Sequence, residues 1–187
     1  LMLSYNIALG ANINSSFGSP FETLKICIEK LETLNIKVNK ISHWYESIAF
    51  PNPLDPPFIN CCLNILTNYK PLELLDCFKK IEEDFGRKDE KRWKSRVCDI
   101  DILSQEQQIS PNLSTFNFWY KMKLEKQKIK KPNKLIIPHP RIQDRDFVLI
   151  PLFDVAENWV HPVFKKNIKS MLKEYLKKRQ INLKKIC

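Results

Sequence analysis

The sequence predicts an α+β fold in which a ferredoxin-like βαββαβ core forms an antiparallel sheet, with extra C-terminal elements. Two observations predict this class. Apolar patterns along residues 5–103 occur in the order strand, helix, strand, strand, helix, strand, and strong helix-start and helix-stop signals separate them. This order places both helices on one face of the sheet and leaves the other face for a ligand or for additional elements.

The first strand and the first helix have the clearest signals. YNIALGAN, residues 5–12, is a short apolar run, and a loop follows it. Ser19 is then a predicted N-cap, Pro20 occupies the first helical turn, and Glu22 completes a capping box. Helical spacing of apolar residues continues from there to about residue 35.

The middle of the core is predicted from alternation and from proline. Residues 36–46 are typical of one strand, a stiff proline-rich loop follows over residues 50–58, and alternation over residues 59–65 predicts a strand with one buried face. A second helix runs from Pro71 to a stop at Gly86. Glu82 falls on or beside its inward stripe, which we predict to be Leu72, Leu75, Phe78, Ile81 and Phe85.

The C-terminal half is predicted less sharply. Residues 104–134 form a polar, lysine-rich excursion that we expect to be only partly ordered, with an insertion at about residues 110–131. An apolar strand or helix follows over residues 147–159, and an amphipathic helix over about residues 167–179. We therefore predict one main domain over residues 1–163 and a basic helix or tail over residues 164–187.

The net charge of +10 first suggests nucleic acid, but the charge is peripheral. Residues 119–134 carry +6 and residues 164–187 carry +8, so the rest of the chain is mildly acidic. No apolar run is as long as a membrane span, and the start does not resemble a signal peptide. The six cysteines form no CxxC pair and most lie in apolar patterns, which predicts a cytoplasmic protein.

The octet RVCDIDIL, residues 96–103, carries the clearest chemical signal. Asp99 and Asp101 lie one residue apart on a predicted strand and therefore share one face. Two carboxylates about 6–7 Å apart repel by about 2.5 kcal/mol at an effective dielectric of about 20. The pair either lies on the wet face of an edge strand or binds a hard divalent cation, most simply Mg²⁺.

Basic and aromatic residues flank the acidic strand in sequence. GRKDEKRWKSR, residues 86–96, carries six Lys or Arg, and PHPRIQDRDF supplies His139, Arg141 and Arg145. A basic loop beside paired carboxylates suits phosphoryl transfer, which depends on metal ions and cations around the phosphates. Phe58, Trp93 and Phe147 are either core aromatics or the walls of a slot for a flat heterocycle.

Taken together, the motifs ALGAN, FIN, IEEDFGR, RWKSRVCDIDIL, PHPR and RDFVLIPL, in this order, resemble the 6-hydroxymethyl-7,8-dihydropterin pyrophosphokinase family of folate biosynthesis. The resemblance covers residues 5 to about 160. It implies the ferredoxin-like fold and transfer of pyrophosphate from ATP to the pterin hydroxymethyl group, with release of AMP.

The resemblance also implies roles for individual residues. It places two Mg²⁺ ions on Asp99 and Asp101, which would act in catalysis together with Arg87 and Arg96. Residues implied to bind ATP are Glu82, Arg96, Lys134, His139 and Arg145. Residues implied to bind the pterin are Ser47, Phe50, Phe58, Asn60, Trp93 and Phe147. We expect a monomer that binds neither nucleic acid nor a membrane.

The chain also departs from the family pattern. Lys94-Ser95 replaces a small residue followed by Pro or Ser, which affects the expected closure of the loop. Residues 47–51 replace a Thr-x-Pro-x-Gly run that contacts the pterin. Lys134 stands where some members place an Arg that binds ATP. It keeps the positive charge but cannot form the two parallel hydrogen bonds of a guanidinium. The excursion at residues 110–131 is longer than in typical members.

Two alternatives remain at this point. A ferredoxin-like RNA-binding module would use the basic segments, although the strands lack the paired aromatics of such modules. A degenerate family member would bind pterin or nucleotide without turnover, and kinetics alone separates it from an active enzyme.

Overall fold

The structure, a computed structural model, describes residues 2–87 and 95–186. Its strands are β1 (Leu3–Ala11), β2 (Lys37–Ile41), β3 (Tyr45–Ser47), β4 (Phe58–Thr67), β5 (Asp99–Gln105) and β6 (Leu183–Lys185). Its helices are α1 (Pro20–Thr33), α2 (Pro71–Asp84), α3 (Leu113–Tyr120), α4 (Leu124–Ile129), α5 (Asp146–Ala156) and α6 (Ile168–Lys178), with a 3-10 turn at Ile142–Asp144.

The strands form one antiparallel sheet in the order β5-β1-β4-β3-β6, and β2 also pairs with β4. Strand β1 lies between β4 and β5. Residues 3–11 of β1 pair with residues 67–59 of β4 on one side, and β1 pairs with β5 on the other. The order of β5, β1, β4 and β2 is that of a split βαβ core. The predicted α+β, ferredoxin-like class is therefore confirmed.

Helices α1 and α2 cover one face of this sheet. Ser19 caps α1 as predicted: its backbone N–H donates to Glu22 Oε2 at 2.8 Å, and its hydroxyl accepts from the Glu22 N–H. The two helices and the sheet share one buried cluster, which includes Leu24, Leu31, Leu74, Phe78, Ile81, Ile7, Leu9 and Ile100. This cluster fixes which side chains of β1, β4 and β5 face the opposite side.

Helix α5 packs on that opposite face. A register shift between Asn6 and Ile7 leaves Leu103 as an extra residue of β5, and Leu103 joins Cys62 and α5 in a second buried cluster. Asp154 of α5 accepts hydrogen bonds from the Tyr45 hydroxyl at 2.8 Å and the His43 backbone N–H at 3.1 Å. These contacts fix α5 against β3, β4 and β5.

The C-terminal segment is integral to the fold. Ile168 and Met171 of α6 are buried in the cluster with α5, and α6 matches the predicted amphipathic helix. Strand β6, which was not predicted, pairs with β3 from Tyr45–Lys185 to Ser47–Leu183 and covers an edge of the sheet. No described helix has both the length and the apolar character that a membrane span requires.

Two predictions about elements were wrong. Residues 36–46 form two strands rather than one, because Ser42 leaves the strand and bonds through its N–H and its hydroxyl to the Cys62 backbone. Leu74 rather than Leu72 faces the core, and Leu72 is 64% exposed. Within the excursion that we expected to be only partly ordered, residues 113–129 contain α3 and α4, and Phe116 of α3 is fully buried.

Candidate active site

Asp99 and Asp101 project from β5 toward the face that carries α5. Asp99 lies opposite Gly10 and Asp101 lies opposite Ala8 in β1, and Ala8 packs with the second buried cluster. Their neighbour Ile100 points into the core between the sheet and the first two helices. The two carboxylates therefore share one partly exposed face, as the alternation of the octet predicts.

Charged side chains from α2, from the segment after it and from the segment before β5 lie close to Asp99. Its Oδ1 accepts from Arg96 Nη1 at 2.6 Å and from Arg87 Nη1 at 3.0 Å. Arg87 also forms an ion pair with Glu82, which is buried at the end of α2. Glu82 Oε1 accepts from the backbone N–H of Ile100 at 2.8 Å, a donor on the outer edge of β5. The structure thus brings together four residues that lie apart in sequence.

Burial and mutual repulsion disfavour the charged forms of the carboxylates in this cluster. Burial, followed by repulsion from Asp101, raises the pKa of Asp99, although Arg96 and Arg87 oppose the shift. Burial, followed by repulsion from Asp99, raises the pKa of Glu82 to about 8. Carboxylates that repel one another at a partly buried site are relieved by added positive charge.

The donor set fits Mg²⁺, which binds through one or two carboxylates and keeps its other positions for water or substrate phosphates. Asp99 and Asp101 would hold it. Among the described residues there is no group of three or more His, Cys, Asp or Glu side chains placed to bind a metal ion. Protein ligands for a cation on this face would therefore come from the aspartate pair.

Basic residues from a second segment reach the same face. Burial lowers the pKa of Arg145, while the charges of Asp101 and Asp99 act in the opposite direction, which places this guanidinium within electrostatic reach of both. Arg145 precedes α5 and lies over the Phe147 ring, with 5.7 Å from Cζ to the ring centroid. His139 is fixed beside β5 by its backbone N–H, which donates to Leu103 O at 2.7 Å.

A polar and aromatic group forms where β3 and β4 meet. Ser47 pairs with Phe58 and Tyr45 pairs with Asn60, so these side chains share the α5 face. The Asn60 amide donates to Ser47 Oγ at 2.9 Å and to Phe58 O at 3.2 Å, and Asn60 is 5% exposed. Its amide hydrogens are thus directed to the protein.

Gly10 separates the acidic group from this polar group. It lies directly opposite Asp99 in β5 and Asn60 in β4, and strands lie about 4.8 Å apart. A methyl group added to Gly10 would come within 3.5 Å of Asn60 Oδ1 and 3.8 Å of the Phe58 ring. The missing side chain therefore leaves space on this face between a carboxylate and an amide oxygen.

Other predicted residues lie at the periphery or outside the described residues. Phe50 is 49% exposed in the proline-rich loop, and Phe147 is half-buried in the first turn of α5. Lys134 is exposed and lines a groove together with α3. Trp93 and Lys94 fall in residues 88–94, outside the described part of the chain.

Asn12 is a site residue that the sequence reasoning missed. Its Oδ1 accepts from the Arg96 N–H at 2.6 Å, and its Nδ2 donates to Pro56 O at 2.9 Å and to Ser95 Oγ at 3.2 Å. It is 2% exposed and links the end of β1 to two loops. The available signal was a polar residue directly after a buried strand, within the ALGAN motif.

Known proteins are similar to this chain in sequence, and solved structures are similar to it in fold. Residues 6–157 match the family described as 7,8-dihydro-6-hydroxymethylpterin-pyrophosphokinase (HPPK). A 2-amino-4-hydroxy-6-hydroxymethyldihydropteridine pyrophosphokinase of Aquifex aeolicus is 32% identical over 92% of both chains. The protein of that name from Synechocystis is 32% identical over 90% of this chain and 74% of its own length.

The solved structures show the fold. A Plasmodium falciparum HPPK-DHPS variant with pterin and p-hydroxybenzoate superposes with a TM-score of 0.70 at 16% identity, over 99% of this chain. The wild-type protein with pteroate superposes with a TM-score of 0.69 at 15% identity. This chain spans about half of each of those longer chains, 47% and 48%. On the sequence evidence, the chain belongs to the 7,8-dihydro-6-hydroxymethylpterin-pyrophosphokinase family.

Proposed function

We propose that this protein transfers the β,γ-pyrophosphoryl group of ATP to the hydroxymethyl oxygen of 6-hydroxymethyl-7,8-dihydropterin. The hydroxymethyl oxygen attacks the β-phosphorus and loses its proton. The bond from that phosphorus to the α,β-bridging oxygen breaks, and AMP leaves. The observation that carries the proposal is the shared face of Asp99, Asp101, Arg87, Arg96 and Arg145 in a chain of this family.

The acidic pair is proposed to hold two Mg²⁺ ions together with the triphosphate. The metal would supply positive charge that stabilises the phosphates and the leaving oxygen during transfer. Asp99 now accepts from both Arg87 and Arg96 at one oxygen atom, Oδ1. With a cation held at Asp99, Arg87 and Arg96 would be available to the transferring group, where negative charge is redistributed.

The remaining site residues are proposed to hold and orient the substrates. His139, Arg145 and Lys134 would bind ATP, and Glu82 would position Arg87 through the ion pair between them. Phe58 and Phe147 would flank the pterin ring, with Asn60 Oδ1 accepting a hydrogen bond at its polar edge. Ser47, Phe50 and Trp93 would complete the pterin site. Gly10 leaves room for the hydroxymethyl group between Asn60 and Asp99.

We also propose that the protein acts as a cytoplasmic monomer without nucleic acid. The sequence supports a reducing compartment, because its six cysteines form no CxxC pair and most lie in apolar patterns.

The test follows labelled phosphates from ATP into the products. Purified protein is incubated with the pterin, Mg²⁺ and ATP labelled either at the α- or at the γ-position. The proposal predicts that the α label appears in AMP and the γ label in a pterin diphosphate, and only when both substrates are present. Formation of ADP and a pterin monophosphate, or no pterin-dependent AMP, would refute the proposal.

A further inference from the structure

The last segment of the described chain, residues 179–186, runs from the end of α6 to strand β3, and we call it the C-terminal strap. At its start, Arg179 Nη1 donates to Asp144 O at 2.9 Å. At its end, β6 pairs with β3 so that Leu183 lies opposite Ser47. Every residue of the strap except Leu183 is exposed. The strap therefore buries little apolar surface, and hydrogen bonds join it to the rest of the fold.

Asp146, the first residue of α5, joins the middle of the strap to this helix. Its Oδ2 accepts from the backbone N–H of Asn182 at 3.0 Å, and its Oδ1 accepts from the N–H of Phe147 at 2.8 Å. Asp146 is 9% exposed, and carboxylates are rarely so buried without partners. The bond to Phe147 is local and suits an acid at a helix N-terminus. The bond to Asn182 joins segments that lie 36 residues apart in sequence.

The strap connects two groups of side chains on the face of the sheet that carries the β5 aspartates. Asp146 stands between Phe147 and Arg145, which lies within electrostatic reach of those aspartates. At the other end of the strap, Ser47 Oγ accepts from the Asn60 amide at 2.9 Å. The strap thus bridges the first turn of α5 and the end of β3 beside this face.

A second contact between α5 and β3 lies toward the other end of the helix. Asp154 accepts from the Tyr45 hydroxyl at 2.8 Å. Asp146 and Asp154 are eight residues apart, which corresponds to about 12 Å along a helix axis. The Asp154 contact restrains the C-terminal part of α5 against β3, and the strap restrains the first turn, where Phe147 lies.

We propose that Asp146 is a positioning residue that acts through the strap and sets the distance between Phe147 and Ser47. The inference rests on the proposed function, in which these two residues border the pterin. A slot of fixed width binds a rigid ring more tightly, because the freedom of its walls is not lost on binding. Loss of the bond between Asp146 and Asn182 should therefore weaken pterin binding.

The test removes this bond from either side. Asn182→Pro removes the backbone N–H, whereas Asn182→Ala keeps it and is the matched control. Residue 182 directly precedes β6, where proline is compatible with a strand. Asp146→Ala removes the acceptor instead, and Asp146→Asn keeps one of its two oxygens.

Calorimetric titration with 6-hydroxymethyl-7,8-dihydropterin measures binding without turnover. Each titration contains Mg²⁺ and a saturating ATP analogue with a methylene group between the α- and β-phosphorus, which cannot release AMP. A separate titration measures the affinity for the analogue alone.

We expect Asn182→Pro and Asp146→Ala to bind the pterin roughly 3- to 30-fold more weakly, the range for residues that act through packed neighbours. Asp146→Asn should recover part of this loss, and Asn182→Ala should match wild type. Affinity for the analogue alone should change by less than about twofold, because the tether acts on the slot between Phe147 and Ser47. A residue that only stabilised the fold would lower both affinities together.

Hydrogen exchange tests the tether without any substrate. Peptides that cover residues 145–150 and 45–50 should exchange faster in Asn182→Pro than in Asn182→Ala, because the first turn of α5 is no longer joined to β3 through the strap. Exchange in Asn182→Ala should match that of wild type.

Three results would overturn the inference: unchanged pterin affinity in Asn182→Pro, an equal loss of affinity for the ATP analogue, or equal exchange in Asn182→Pro and Asn182→Ala. None of them depends on catalysis. An inactive wild type in which Asn182→Pro still weakens pterin binding would refute the proposed function and leave the role of Asp146 standing.

Discussion

At the scale of single residues, the interactions of Asp99 explain how two acids are tolerated on one short strand. Arg87 and Arg96 both donate to one of its oxygens, which offsets part of the repulsion from Asp101. Arginine suits this task because its guanidinium stays charged and offers several donors. The same two guanidinium groups are the cations that pyrophosphoryl transfer would require.

Arg96→Ala should lower kcat by about 100- to 1,000-fold, the usual cost of one donor that stabilises developing charge. KM values should change far less, because the partner charge develops only during transfer. Steady-state kinetics with both substrates varied measures kcat and the KM values. Arg96→Lys keeps the positive charge but lacks the bidentate donors of the guanidinium, so it should show an intermediate kcat. A loss confined to KM would contradict the assigned role of Arg96.

Asn12 shows why part of the site was not predictable. Its partners Arg96, Pro56 and Ser95 lie 44 to 84 residues away in sequence, and no local pattern encodes contacts over that distance. The aspartate pair was predictable because alternation on a strand is local. Local pattern placed Glu82 on or beside the inward stripe and the resemblance implied a role in ATP binding, but its bond to the Ile100 N–H was not predictable, since that donor is free only because β5 is an edge strand.

At the scale of elements, Asp154 connects α5 to the sheet beside the proposed pterin site. It accepts from Tyr45 and His43, and Tyr45 adjoins Asn60 in the sheet. Burial, followed by the hydrogen bond that its hydroxyl donates to Asp154, raises the pKa of Tyr45 well above its ordinary value, so the hydroxyl remains a donor. This contact thereby sets the distance between α5 and β3.

Tyr45→Phe should lower the free energy of unfolding by about 1.5–3 kcal/mol, the typical contribution of a hydrogen bond to a charged group. Urea denaturation of Tyr45→Phe, Asp154→Asn and the double variant forms a cycle. We expect the double variant to be less destabilised than the sum of the two single variants. Strictly additive losses would show that the two side chains do not interact energetically.

The formation of the short elements depends on tertiary contacts more than on the local helix or strand preference of their residues. Strand β6 has three residues, two of them lysines, and forms because β3 offers an unpaired edge. Helix α3 is short but holds Phe116 in contact with His161 and Phe164. The long helices α1 and α2, by contrast, carry their own caps and apolar stripes, and the sequence predicted both of them.

At the scale of the whole molecule, the basic C-terminal segment is part of the packed fold. Because α6 is buried against α5 and β6 pairs with β3, deletion of residues 164–187 would expose core surface and a sheet edge. A test of nucleic-acid binding therefore requires charge substitutions at exposed lysines, which leave the fold intact.

His161 makes the stability of the whole molecule depend on pH. It is fully buried among aromatic rings and accepts from the N–H groups of Val163 and Phe164. Burial lowers its pKa from 6.5 to about 4. The unfolded chain therefore binds a proton first as the pH falls. The stabilising contribution is complete above pH 6.5 and is lost progressively toward pH 4, by about 3 kcal/mol in total.

Urea denaturation at pH 7.0 and pH 4.5 tests this for wild type and His161→Phe. The variant lacks the two hydrogen bonds at both pH values. Between pH 7.0 and pH 4.5, however, its free energy of unfolding should fall by about 2–3 kcal/mol less than that of wild type. Equal losses in the two proteins would assign the pH dependence to other groups.

The most direct test of the central claim is single-turnover formation of AMP by Asp101→Asn, with ATP, Mg²⁺ and the pterin. Asp76→Asn is the matched control, since Asp76 is an exposed acid on α2 that pairs with Lys79 at 3.6 Å. The account predicts wild-type rates for Asp76→Asn. It predicts a rate at least about 100-fold lower for Asp101→Asn, because a ligand of the charge-stabilising cation is lost. A rate for Asp101→Asn within twofold of wild type would contradict the claim that transfer occurs on the acidic face of β5.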